Sequence, residues 1–328
     1  MSLSALSNGN AEDIPYTYGP RGDSIRHDVV MPIADEWRAR SGDRLEGETV
    51  RLRLVGQAQS PAILVLGGIS AGRHVTSQDQ GWWKDLAGPG RALDTDRALI
   101  IGADLPPERK GEPKLLCPED FARLLADALD EAGITHIAAF VGSSFGGMVG
   151  LSFARLYPER VGKLVVLCAG HRPSPMAAAV RHVQREILSL TEGTNREADG
   201  VALARKLAMT TYRTTEEFDR RFARGADECV FSYLEHHGAK YRDTVSSCRF
   251  QTFSAAIDAH TEDPSNITVL TSVIASDTDR LVPLAITHEL AARLPRLERY
   301  DVLRSPYGHD AFLKEPQAIG ALLKRMLS

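Results

Sequence analysis

An apolar run at 136–141 leads directly into Gly142, Ser143, Ser144, Phe145 and Gly146. A helical stretch follows at 148–156, with Pro158 just beyond it. The five residues read G-x-S-x-G. A turn this sharp between a strand and a helix strains the backbone of its central serine and requires small residues two places to either side. Gly142 and Gly146 meet that requirement around Ser144. Its hydroxyl would then stand clear of a sheet, at a helix N-terminus. There the Phe145 amide can donate to a developing oxyanion. Ser144 is therefore the candidate nucleophile. Ser143 lacks the small flanks.

The rest of the chain fits such a turn. Short apolar runs at 62–66, 98–101, 163–168, 267–274 and 297–303 carry little polar alternation. This pattern suits strands buried on both faces of a parallel sheet. Between them, 118–132 places Phe121, Leu124, Leu125, Ala128 and Leu129 on one helix face, with Gly133 as a C-cap. Alternating strands and helices predict α/β architecture. The alternation stops between 171 and 265, where charged helical sequence such as 177–190 and 216–224 holds no core strand. The chain thus divides into a flexible N-terminal arm (1–25), a core (26–170 and 266–328) and a helical lid (171–265).

A serine hydroxyl needs a base, and the base needs an orienting acid. In strand–turn–helix sites of this kind both follow the serine, acid before histidine. After the lid only His288 and His309 remain. His288 falls within an amphipathic helical stretch. His309 lies in a loop after the last strand, where the base belongs. For the acid, Asp277 and Asp279 both follow a strand, and spacing alone does not choose between them.

Composition narrows the classes. The 328 residues include 39 Lys and Arg and 43 Asp and Glu, a net charge of −4. A weakly acidic chain without a basic face gives no support for nucleic-acid binding. No run of 18 apolar residues predicts a membrane span, and the N-terminus has no secretory pattern. Cys117, Cys168, Cys229 and Cys248 form no C-x-x-C pair. Free thiols in a reducing compartment are expected, hence a cytoplasmic protein. No metal-ligand cluster stands out. Glu235, His236 and His237 lack the i, i+4 histidine spacing of a zinc helix and read as a solvated helix face. Neither a P-loop nor a G-x-G-x-x-G turn is present.

Several segments together are similar to one family. Residues 81–96, GWWKDLAGPGRALDTD, resemble the G-W-W-x-x-L-x-G-P-G-x-x-L-D-T-D segment of the homoserine O-acyltransferases of the α/β-hydrolase fold. SFGGM at 144–148 resembles that family's S-M-G-G-M turn. Ala204 and Arg205, followed by TYRT at 211–214, resemble its A-R…T-Y-R-T stretch. SYL at 232–234, DRLVP at 279–283 and GHDAFL at 308–313 resemble its S-Y-L, D-x-L-x-P and G-H-D-A-F-L segments. The matches run in order from about 62 to 313.

The resemblance implies an α/β-hydrolase fold and selects Asp279 as the acid. It implies that Arg205 and Asp310 hold the α-carboxylate and α-ammonium of an amino-acid acceptor, with Tyr212 lining the site. A second oxyanion donor is expected from Leu66 or Gly67. The implied reaction is ping-pong acyl transfer from acyl-CoA to L-homoserine, in methionine biosynthesis, with no permanently bound cofactor. A homodimer through the lid helices is implied as well. Serine hydrolysis, or transfer to L-serine or another alcohol, are the alternatives. The donor stays open between acetyl and succinyl, because 66–75, 169–176 and 242–249 depart from the common acetyltransferase pattern. A succinyl carboxylate would need a cation, and Arg73, His74 and Arg172 are the candidates.

Overall fold

The computed structural model describes residues 23–108, 111–224 and 229–327. Its centre is an eight-stranded sheet in the order β1-β2-β4-β3-β5-β6-β7-β8. The strands are β1 (Ser24–Pro32), β2 (Thr49–Gln57), β3 (Ala62–Leu66), β4 (Leu99–Asp104), β5 (Ile137–Ser143), β6 (Val161–Leu167), β7 (Leu270–Ser276) and β8 (Leu297–Leu303). From β4 to β8 neighbouring strands pair parallel. The β1–β2 and β2–β4 pairs are antiparallel.

The sheet is mostly parallel, as an α/β-hydrolase fold implies, with an antiparallel edge. β2 alternates polar and apolar residues at its start, Thr-Val-Arg-Leu-Arg-Leu, and β1 carries Arg26, His27 and Asp28 in a row. Both lie toward the wet edge of the sheet, so a search for runs buried on both faces passes over them. β1 also claims Ser24 and Ile25 from the expected arm; residues 1–22 of that arm lie outside the described residues. β7 begins at Leu270 rather than 267, because Pro264–Asn266 form a short 3₁₀ turn.

Helices cover both faces. On one side α1 (Pro118–Glu131), α2 (Phe145–Leu156) and α8 (Leu284–Arg293) bury Phe121, Leu125, Val149 and Leu290 against the sheet. On the other, α10 (Pro316–Met326) packs Ile319, Leu323 and Met326 against Val65, Ile100 and Val165. Burial of each such side chain contributes about 1.5–3 kcal/mol. Between β6 and β7 come, among the described residues, five α-helices: α3 (Pro175–Ser189), α4 (Glu197–Met209), α5 (Thr215–Arg221), α6 (Val230–Arg242) and α7 (Ser247–Asp258). The hydroxyls of Ser174, Thr214 and Ser246 cap α3, α5 and α7 by accepting from amides three residues on. Leu188, Val201, Ala204, Tyr241 and Phe250 form a separate apolar cluster among these helices. Among the described residues, no helix is long and apolar enough to cross a membrane.

Candidate active site

β5 delivers Ser144 at its C-terminal end, and α2 starts on the next residue. Ser144 has φ 53° and ψ −120°, a conformation L side chains rarely adopt. The flanking glycines are required by space. A Cβ on Gly142 would lie 2.3 Å from the Gly146 carbonyl oxygen, and one on Gly146 would lie 2.3 Å from that of Leu66. Ser143 is fully buried, its hydroxyl directed at the Leu66 carbonyl.

Ser144 Oγ lies 2.7 Å from His309 Nε2, and His309 Nδ1 lies 2.6 Å from Asp279 Oδ2. Asp279 Oδ1 accepts from the amides of Leu281 and Val282 at 2.8 and 2.9 Å. Both carboxylate oxygens are thus directed, and Nδ1 carries the proton. Asp277 is spent elsewhere, accepting from the Ser305 amide. His288 lies on α8 and packs edge-on against Tyr300. Burial disfavours the His309 imidazolium, but the Asp279 carboxylate outweighs it and holds the pKa above the ordinary 6.5. Gly308, at φ +57°, turns the chain so that His309 enters the site.

The amides of Gly146, Gly147 and Met148 bond to the carbonyls of Gly67 and Ser144, while that of Phe145 takes no part in these bonds. Leu66 and Gly67 do not line the cavity above Ser144; Gly68 does. A Cβ on Gly68 would stand 3.8 Å from Ser144 Oγ. The sequence signal for this was the paired glycine after β3, a place where backbone approaches closely. Trp82 braces this loop by donating to the Gly72 carbonyl at 3.0 Å. Trp83 donates to the Phe312 carbonyl at 2.9 Å, just after His309. The Gly-Trp-Trp segment thus holds both sides of the site.

The cavity, about 350 Å³, lies between the strand ends and helices α3, α4, α6 and α7. Arg205, Tyr212 and Asp310 all line it. The Arg205 guanidinium lies 4.5 Å over the Tyr241 ring and 5.3 Å over Tyr212. It makes one long bond, 3.4 Å, to the Tyr212 hydroxyl, and no carboxylate pairs with it among the described residues. Asp310 accepts from Arg213 Nε at 3.1 Å, and Arg213 Nη1 donates to Glu217 at 3.0 Å. Arg213 was not anticipated. It reads as an ordinary helix-start cation until the fold sets it against Asp310.

The fold also places four more residues considered from the sequence. Arg73 does not line the cavity; it pairs with Asp104 and Asp28. His74 lies 3.7 Å from Asp79 and also points elsewhere. Arg172 reaches the cavity wall, but it pairs with Glu289 at 2.7 Å and its side chain is 42% exposed. His237, read as solvated, lines the cavity. Burial, then the nearby Arg205 and His236, push its pKa down to about 4. Among the described residues, no group of three or more His, Cys, Asp and Glu side chains is placed to hold a metal ion.

A family model for the alpha/beta hydrolase fold matches residues 61–316. Over its whole length the chain is 37% identical to a homoserine O-succinyltransferase from Xanthomonas campestris, covering 92% of that protein. It belongs to the homoserine O-acyltransferase family. A homoserine O-acetyltransferase from Thermus thermophilus is 34% identical over 76% of this chain and 72% of its own length. Among solved structures, a homoserine O-acetyltransferase from Bacillus anthracis superposes with a TM-score of 0.81 over 93% of this chain and 98% of its own. Esterase E22 gives the same TM-score over 93% of this chain and all of its own. These two are 18% and 16% identical, so the likeness speaks for the shared fold alone. A homoserine O-acetyltransferase and an esterase thus share this scaffold.

Proposed function

We propose that this homoserine O-acyltransferase moves an acyl group from acyl-CoA to the side-chain hydroxyl of L-homoserine, in methionine biosynthesis. The observation that carries this reading is Arg205, a cation with no carboxylate partner among the described residues, sharing a cavity with Asp310 and the Ser144–His309 pair. A guanidinium clamps an α-carboxylate with charge-assisted bonds, and Asp310 receives the α-ammonium. Simple ester hydrolysis has no use for this pair.

The reaction has two halves. Ser144 Oγ attacks the thioester carbonyl as His309 Nε2 takes its proton. The amides of Phe145 and Gly68 face the oxyanion. The C–S bond breaks, and His309 returns the proton to the CoA sulfur. An acyl-serine ester remains. Homoserine then enters, His309 takes the proton of its hydroxyl, and that oxygen attacks the ester. The C–Oγ bond breaks and Ser144 regains its proton. Asp279 holds the imidazole in the tautomer both halves need. Acyl-CoA is a co-substrate; no permanent cofactor enters.

A homodimer in the cytoplasm completes the reading. Met176 and Val183 on α3 and Leu190 at its C-cap follow one another at intervals of seven, and each is exposed. An apolar stripe of this kind fits a helix–helix interface. The test of the activity is CoA-thiol release from acetyl-CoA and succinyl-CoA, with and without L-homoserine. Release that requires homoserine supports transfer. Release that ignores it indicates hydrolysis and sinks the reading.

A further inference from the structure

Asp277, Thr278 and Asp279 follow β7 as one turn, and each reaches the loop that carries His309. The Asp277 amide donates to the Leu303 carbonyl at 3.0 Å, and its Oδ1 accepts from the Ser305 amide at 3.1 Å. Thr278 Oγ1 donates to the Ser305 carbonyl at 2.5 Å and accepts from the Gly308 amide at 3.2 Å. Asp279 Oδ2 meets His309 Nδ1 at 2.6 Å. The contacts advance in step along both segments, from 277 with 303 and 305 to 279 with 309.

Thr278 holds the middle of this ladder. Its hydroxyl spends both its proton and a lone pair on the base loop. The amide it receives is that of Gly308, whose positive φ of 57° turns the next residue, His309, into the site. Asp277 is exposed and competes with water for its contact, whereas Thr278 is half-buried. Thr278 does not line the cavity, so it has no place against either substrate.

The base loop needs such a tie. It leaves β8, the last strand of the sheet, which has a strand neighbour on one side only. A base works when its partners stand within about 2.6–3.2 Å, and a displacement near 1 Å costs about a hundredfold in rate. His309 must satisfy two such distances together, to Ser144 and to Asp279. We infer that Thr278 is a positioning residue for the reaction: its hydroxyl pins the Gly308 turn to the acid turn, so that Ser144 and Asp279 address His309 at once. As a role in acyl transfer this rests on the reading above.

The test compares Thr278→Val and Thr278→Ser with the wild-type chain, by thiol release from acyl-CoA with L-homoserine across a pH series. Valine keeps the shape and removes both bonds. It should lower kcat on the order of a hundredfold, while KM for acyl-CoA and for homoserine stays within about threefold. The acid limb of kcat/KM should move to lower pH as His309 loses part of its hold on Asp279. Asp279, Asp310, Arg181 and Tyr212, which surround the imidazole, all remain in the variant. Thr278→Ser keeps the hydroxyl and should restore most of the rate and the position of the limb. A valine variant that does not fold is replaced by Thr278→Ala, for which the same outcomes are expected. A threonine that served the fold alone would lower the melting temperature and leave kcat and the acid limb unmoved, and that result overturns the inference. So does a serine variant no better than valine. Thiol release that ignores homoserine in the wild-type chain is the separate result that removes the transferase reading; the same variants compared on hydrolysis then decide the role of Thr278.

Discussion

The backbone amide of His309 donates to the carbonyl of Tyr212 at 2.8 Å, and the Asp310 amide meets the same oxygen at 3.3 Å. The loop that carries the base is therefore fastened to the segment between α4 and α5. Gly308 makes this close approach possible. A Cβ there would lie 2.8 Å from the Tyr212 oxygen, at φ +57°. Gly308→Ala is expected to destabilise the fold by about 1–3 kcal/mol. It should also lower kcat for both half-reactions, because His309 moves with the loop. Urea unfolding and single-turnover acylation would show both effects; an unchanged kcat would uncouple the loop from catalysis.

His309 must be neutral to accept the Ser144 proton. Its pKa lies above 6.5 because Asp279 stabilises the imidazolium more than burial opposes it. The rate kcat/KM should therefore fall as pH drops through a value above 6.5, and stay high above it. Asp279→Asn should cut kcat roughly ten-thousandfold, since Nδ1 loses the acceptor that fixes the tautomer. It should also move the acid limb to lower pH. Ser144→Ala should abolish acyl-enzyme formation, checked by mass spectrometry after mixing with acyl-CoA.

Arg205 and Arg213 differ in kind. Arg205→Leu removes a cation that rests on two tyrosine rings. It should raise KM for homoserine about a hundredfold, with little change in melting temperature and none in the donor half-reaction. Arg213→Met strands Asp310 and the buried Glu217, at a cost of about 3–5 kcal/mol in stability. Thermal unfolding beside two-substrate kinetics separates the two cases.

Acid should weaken the fold through His260 and His237. Both are held near pKa 4, chiefly by burial. Their unfolded value is about 6.5, so between pH 6.5 and 4 the unfolded chain binds more protons. Stability is complete above 6.5 and is lost as pH falls toward 4, at up to about 1.4 kcal/mol per pH unit for the buried His260. His260→Asn should flatten that part of the slope in urea titrations at pH 7 and 5. An unaltered slope would show that His260 does not carry it.

The dimer is tested on the outer side of α3. Met176→Glu with Val183→Glu should halve the mass found by light scattering. Wild-type chain already at monomer mass would remove the dimer instead.

The turn at Ser144 was legible because its geometry is local: two glycines, a strand before and a helix after. The base was legible because only two histidines follow the helices between β6 and β7. The choice of Asp279 over Asp277 needed either the resemblance or the fold, since two carboxylates two residues apart look equivalent until the backbone directs one inward. Gly68, Arg213 and His237 escaped for another reason. Their sequence surroundings are those of an ordinary loop or an ordinary helix surface, and they face a cavity only because α3 to α7 fold over the strand ends. β1 and β2 escaped because an edge strand with one wet face does not look like a core strand.

The bond from His309 to Tyr212 runs between backbone atoms. Side chains on the inner faces of α3 and α4 can therefore be exchanged without loosening the base. The cavity's helix-borne side chains are one set of atoms, and those that fasten the base are another. An enzyme built this way can be re-addressed by changing helix faces one position at a time, while turnover itself is carried forward intact.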